Sequence, residues 1–197
     1  MAPARYLALR YTIVQPNASH GFDEIDPGKT FYSNDHFRLK VEANSSSYLY
    51  VAVERGPKGT WDVLFPSPEA GEADKKLVPG EPVQVPQNTN FEFDSVPGAE
   101  RLFVVLSRER EPDFEQLIRS IRQEHGGRGS GGPVLSAGNL SNDKVESMRQ
   151  RLKSRGIVRQ DMDRDDKSGH GEAAVYVANA SLADNNRVVT EILLKHQ

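Results

Sequence analysis

From Leu7 to Leu106 the apolar residues come in short runs, mostly with a period of two, and from Phe114 the period becomes that of a helix. That change of period constrains the fold more than any other feature. Leu7, Leu9, Tyr11 and Ile13 alternate with more polar neighbours, as Phe37, Leu39 and Val41 alternate with Arg38, Lys40 and Glu42. Each pattern predicts a strand buried on one face. Tyr48–Val53 and Leu102–Leu106 are apolar on both faces and are expected to be central strands. Gly56-Pro57-Lys58-Gly59 reads as a hairpin turn returning through Trp61–Phe65, which Pro66 and Pro68 terminate. Residues 67–80 read as a loop, followed by short strands over 82–85 and 90–93. Strands this short and this regularly spaced predict a mainly β protein, an antiparallel β-sandwich of Ig-like or Greek-key type.

Phe114, Leu117, Ile118 and Ile121 then fall on one helical face. Pro112 suits a first turn, and Asp113 and Glu115 complement the helix dipole there. Gly126–Gly132 reads as a flexible linker. A second helix is expected after Ser141, with Val145, Met148 and Leu152 as its stripe and Gly156 beyond its end. A charged loop and two strands follow, Ala173–Ala178 and Arg187–Leu194. Two short helices and two strands bury little by themselves. The expectation is therefore one domain over 1–197, with a core at 6–107, an extension at 108–197, and the helices on an edge or end of the sheets.

Composition excludes several function classes. The 197 residues contain no cysteine, so disulfide scaffolds, thiolate metal sites and thiol nucleophiles are ruled out. A net charge of −3 argues against nucleic-acid binding through bulk positive charge. No apolar run approaches the about 20 residues of a membrane helix, so no membrane insertion is expected. The start of the chain runs straight into a strand and shows no signal peptide.

With the strands laid out, residues 6–107 resemble the bacterial domain-of-unknown-function family 4384. Phe31-Tyr32-Ser33-Asn34-Asp35-His36-Phe37-Arg38-Leu39 is similar to that family's F-x-S-G-D-x-hydrophobic-R-L pattern. Tyr48-Leu49-Tyr50-Val51, Leu64-Phe65-Pro66 and Pro97-Gly98-Ala99-Glu100-Arg101-Leu102 resemble its G-Y-L-Y-V, L-F-P and P-G-x-E-x-L segments in order. Asn34 and Ser47 stand where glycines are expected; both are turn residues, and Asn tolerates positive φ. The resemblance implies a β-sandwich-like fold and an accessory role in bacterial envelope or signalling proteins, hence a periplasmic or cell-envelope location. It carries no catalytic residues.

Three constellations could bear chemistry. Gly129-Ser130-Gly131-Gly132-Pro133 resembles a serine-protease nucleophile loop, but flexible glycines flank the serine and no histidine stands in a suitable context, so it reads as linker. Asp161, Asp163, Asp165 and Glu172 reproduce the calcium-loop spacing of hard oxygen ligands. Asp166 replaces the required glycine, and Arg164 and Lys167 offset the charge, so a solvated loop without calcium is the expectation. Tyr48, Tyr50, Trp61 and Phe65, on neighbouring strands, could form a stacking platform for a sugar or peptide, although such pairs more often pack. The five histidines show no metal-ligand spacing, and His125 and His196 are expected to be solvated. Carboxylate pairs such as Asp23-Glu24 and Glu109/Glu111 read as loop residues with no acid–base role. The expectation is a non-enzymatic interaction module without cofactor, binding a protein or envelope component and no nucleic acid. A carbohydrate- or calcium-dependent binding module is the alternative, and a hydrolase a distant third.

Overall fold

The computed structural model describes residues 6–55, 60–66, 76–93, 95–125, 142–152, 157–162, 173–181 and 186–197. In chain order they form β1 (Leu7–Pro16), β2 (Phe22–Ile25), β3 (Thr30–Phe31), β4 (His36–Ala43), β5 (Tyr48–Arg55), β6 (Thr60–Phe65), β7 (Val83–Val85), β8 (Phe91–Glu92) and β9 (Gly98–Ser107). Then come α1 (Pro112–His125), α2 (Asn142–Leu152), β10 (Ile157–Met162), β11 (Ala174–Asn179) and β12 (Arg187–His196). The strands make two open sheets in a sandwich-like, mainly β architecture. The first runs β10-β11-β1-β4-β7, with β2 beside β1 and β8 beside β4; the second runs β3-β12-β9-β5-β6. The pairings are antiparallel except for the two-residue match of β3 with β12.

The core follows from alternation. Leu7, Leu9, Tyr11 and Ile13 of β1 and Phe37, Leu39 and Val41 of β4 point inward from the first sheet. Leu49, Val51 and Val53 of β5, with Leu102, Val104 and Leu106 of β9, meet them from the second. The last strands are part of these sheets: β11 pairs with β1 from Leu7↔Asn179 to Tyr11↔Val175, and β12 pairs with β9 from Arg187↔Ser107 to His196↔Gly98. Val188, Ile192 and Leu194 of β12 are buried in the same core, each contributing about 1.5–3 kcal/mol.

The helices sit on a face, not on an edge or end. Phe114 and Ile118 of α1 and Met148 of α2 pack on Tyr50, Ala52, Trp61, Val63, Phe103 and Val105, the outward side of the second sheet. The reason is in β5 and β9, which are apolar on both sides and need cover on both. Three strands were not anticipated. β2 and β3 are only four and two residues long. β10 is recruited as an edge strand by β11, which it pairs from Ile157↔Asn179 to Met162↔Ala174. The hairpin turn at 56–59 and the glycine segment 126–132, with Ser130, lie outside the described residues. No described helix is long and apolar enough to cross a membrane.

Candidate functional site

The inward positions of β1 and β4 are filled by the core, so their alternate residues build the outward face of the first sheet. Arg10 lies opposite Glu42, Thr12 opposite Lys40 and Val14 opposite Arg38. β2 adds Glu24 beside Val14. Glu24 accepts from two cations: Lys40 Nζ at 2.9 Å on Oε1, and Arg10 Nη2 at 3.2 Å on Oε2. Burial alone would raise the Glu24 pKa; the Lys40 hydrogen bond and the charges of Arg10 and Lys40 outweigh it and hold it below the ordinary 4.5. Next to this triad the Arg38 guanidinium lies 4.5 Å from the Phe22 ring centroid. It also donates to Asn90 Oδ1 at 2.7 Å, the Gln87 carbonyl at 3.1 Å and Gln84 Oε1 at 3.2 Å. The result is a row of charges in defined geometry, held by strands. Thr12, fully buried within the row, satisfies its hydroxyl by donating to the Ala173 carbonyl.

The aromatic set divides. Tyr50 and Trp61 are each 1% exposed, beneath the helices, with Tyr50 stacked on Phe114 at 4.9 Å and Trp61 edge-on to Phe103 at 6.3 Å. Phe65 turns to the opposite face and joins the inter-sheet core. The cause is a register slip: Val51 pairs with Phe65 while Ala52 pairs with Val63, so Leu64 has no opposite residue and the alternation shifts by one. Tyr48 alone of the four is partly exposed, with Lys76 Nζ 5.0 Å and the Arg110 guanidinium 5.1 Å from its ring. The structure therefore presents no four-ring platform to a ligand, and the burial of Tyr50 and Trp61 fits packing.

Of the calcium-spaced acids, Asp161 lies in strand β10 opposite Val175, not in a loop. Asp163, Asp165 and Glu172 fall outside the described residues. Among the described residues no cluster of His, Asp and Glu could hold a metal ion. His196 corrects the expectation of a solvated side chain: its ring is 2% exposed and lies 4.9 Å from the Phe93 ring. The last strand reaches far enough along β9 to bring His196 opposite Gly98, inside the sandwich. His36 stays half exposed, 3.6 Å from Glu92.

A second polar cluster lies where α1 meets the second sheet. The Tyr50 hydroxyl accepts from the Glu111 N–H at 3.1 Å and donates to Glu115 Oε1 at 2.8 Å. Burial first, then Glu115 and Glu111, raises the Tyr50 pKa against the Glu111 N–H that lowers it. Glu111 faces Arg187, with Nε 2.9 Å from Oε1. Neither cluster was found by sequence reasoning, which placed Glu24 and Glu111 in loops. The signal for the first was the Arg38/Lys40 alternation, which marks an outward face but not the partner that β2 brings to it.

The matching family model is described as Domain of unknown function (DUF4384) and covers residues 30–110. The match begins at Thr30, not at Tyr6, and runs from β3 to the loop before α1. No curated protein and no solved structure matches the chain. Asn34, where a glycine is expected, has φ 68°, a left-handed conformation that Asn tolerates. Ser47 is buried, and its hydroxyl donates to the Ser45 carbonyl at 2.9 Å. Over residues 30–110, this chain carries a DUF4384 domain.

Proposed function

We propose that this protein is a non-enzymatic interaction module of a bacterial cell-envelope or surface-signalling protein, contacting a protein or envelope component through the outward face of its first sheet. The observation that carries this reading is the Arg10–Glu24–Lys40 triad beside the Arg38–Phe22 stack. Charges fixed on strands in a defined order select partners by electrostatic complementarity and suppress wrong ones. The helices cover the other sheet and leave this row in reach of solvent, with Arg10, Glu24 and Lys40 side chains 12%, 28% and 27% exposed. The envelope location follows the family resemblance and stands as part of the proposal.

Site-specific photo-cross-linking in the native cell tests it. A probe replacing Glu42, on this face, should give a discrete adduct, and a probe replacing Asp143, exposed on α2, should give none. Adducts from position 143 alone, or from neither position, would overturn the assignment.

A further inference from the structure

Glu111 is poorly matched to its surroundings, and the surface above makes no use of it. It caps α1 with its backbone, since the Glu115 N–H donates to the Glu111 carbonyl at 3.0 Å and Pro112 opens the helix. Its side chain is not spent on the helix amides but enters the seam between α1 and the second sheet, where it is 6% exposed. β12 offers one cation: Arg187 Nε is 2.9 Å away but off the line a hydrogen bond needs. β9 offers the Ser107 hydroxyl. β5 offers Tyr50, whose hydroxyl is already engaged by the Glu111 N–H and Glu115. From its own segment it faces Glu109 and Asp113, the latter 3.3 Å from Arg151 of α2. Glu115 and Arg110 pair with each other beside it at 3.3 Å. Among the described residues this carboxylate is buried with the Arg187 guanidinium and two acidic neighbours, so it holds its charge less readily than an exposed glutamate does.

We propose that Glu111 is a proton-sensitive latch on the helical layer, whose protonation tightens α1 on the second sheet and whose ionisation loosens it. The inference is independent of the proposed binding face. Burial, above all, raises the Glu111 pKa above the ordinary 4.5; Ser107 and Arg187 oppose this, and Asp113 and Glu109 add to it. The docked helix therefore binds the proton more tightly than a released helix would. The added stability is full below 4.5 and is lost as pH rises through the raised value. Beneath the latch lie Tyr50, Trp61 and Phe103, so a looser layer uncovers an aromatic face.

Amide hydrogen exchange on the intact protein, corrected for intrinsic exchange, tests this by comparing α1 with β9. Lowering the pH from about 7.5 to about 5 should raise α1 protection relative to β9, by up to about tenfold for every pH unit between the raised and ordinary values. Glu111→Gln, a neutral isostere, should hold α1 at its acid-level protection at both pH values. An unchanged pH response in Glu111→Gln, or α1 protection that falls on acidification, would overturn the proposal. Should that variant not fold, carboxyl carbon NMR of the unsubstituted protein decides: a Glu111 midpoint above 4.5 supports the latch, and one at or below 4.5 sinks it.

Discussion

On the outward face of the first sheet, alternate positions carry Arg10, Lys40, Arg38 and Glu42; on the outward face of the second they carry Tyr50, Ala52, Phe103 and Val105. The two sheets share one inner core, so the difference arises entirely on their outer sides. The first sheet pairs its charges at partly exposed positions, with the Glu24 and Lys40 side chains 28% and 27% exposed. The second requires a third layer, which α1 and α2 supply. Each face holds one conspicuous carboxylate, and their environments are opposite. Among the described residues, Glu24 is held by Lys40 and Arg10, and its pKa is lowered; Glu111 is buried against Arg187, and its pKa is raised. Acidification therefore costs the first face its ion pairs while relieving the seam of the second. A chain of this composition can thus place two opposite pH responses on one sandwich.

The strongest test of the contrast is Trp61→Ala. Trp61 is 1% exposed where the helical layer covers the second sheet, and removing it should cost about 3–5 kcal/mol in denaturant unfolding. A loss under about 1 kcal/mol would mean that the helical layer is not integral to the fold. Tyr50→Phe keeps the stack on Phe114 but strips the hydroxyl that joins Glu111 to Glu115. Chemical unfolding should register a loss of about 1–3 kcal/mol, because a buried N–H loses its acceptor. An unchanged midpoint would remove the polar seam from the account. Lys40→Ala, on the solvent-facing row, should have the smallest effect, at most about 1 kcal/mol. Since ionised Glu24 contributes above its ordinary 4.5 and loses that contribution as pH falls through its lowered value, the Lys40 effect should fade on acidification. A Lys40→Ala loss as large as that of Trp61→Ala would erase the distinction between the faces.

Alternation alone carried most of the strand layout. β1, β4, β5, β6, β9, β11 and β12 lie where period-two or two-sided apolar runs place them, because the side-chain period of a strand is written directly into the order of residues. The helical stripe at Phe114, Leu117 and Ile118 was legible for the same reason. Partnership was not. β10 reads Arg-Gln-Asp through its middle and is a strand only because β11 offers an edge. Phe65 follows Trp61 and Val63 in strict alternation, yet the unpaired Leu64 sends it to the other face. His196 looks like a terminal residue, but ten antiparallel pairs with β9 carry it beside Phe93. Glu24 and Glu111 show the same limit at the level of charge. Each is a glutamate near basic residues in the chain, and only the fold decided that one would meet Arg10 and Lys40 while the other would be buried against Arg187. Periodicity is a local property of the chain. Pairing, register and desolvation are set by residues far apart in sequence, and those depend on how the two sheets and the helical layer close on one another.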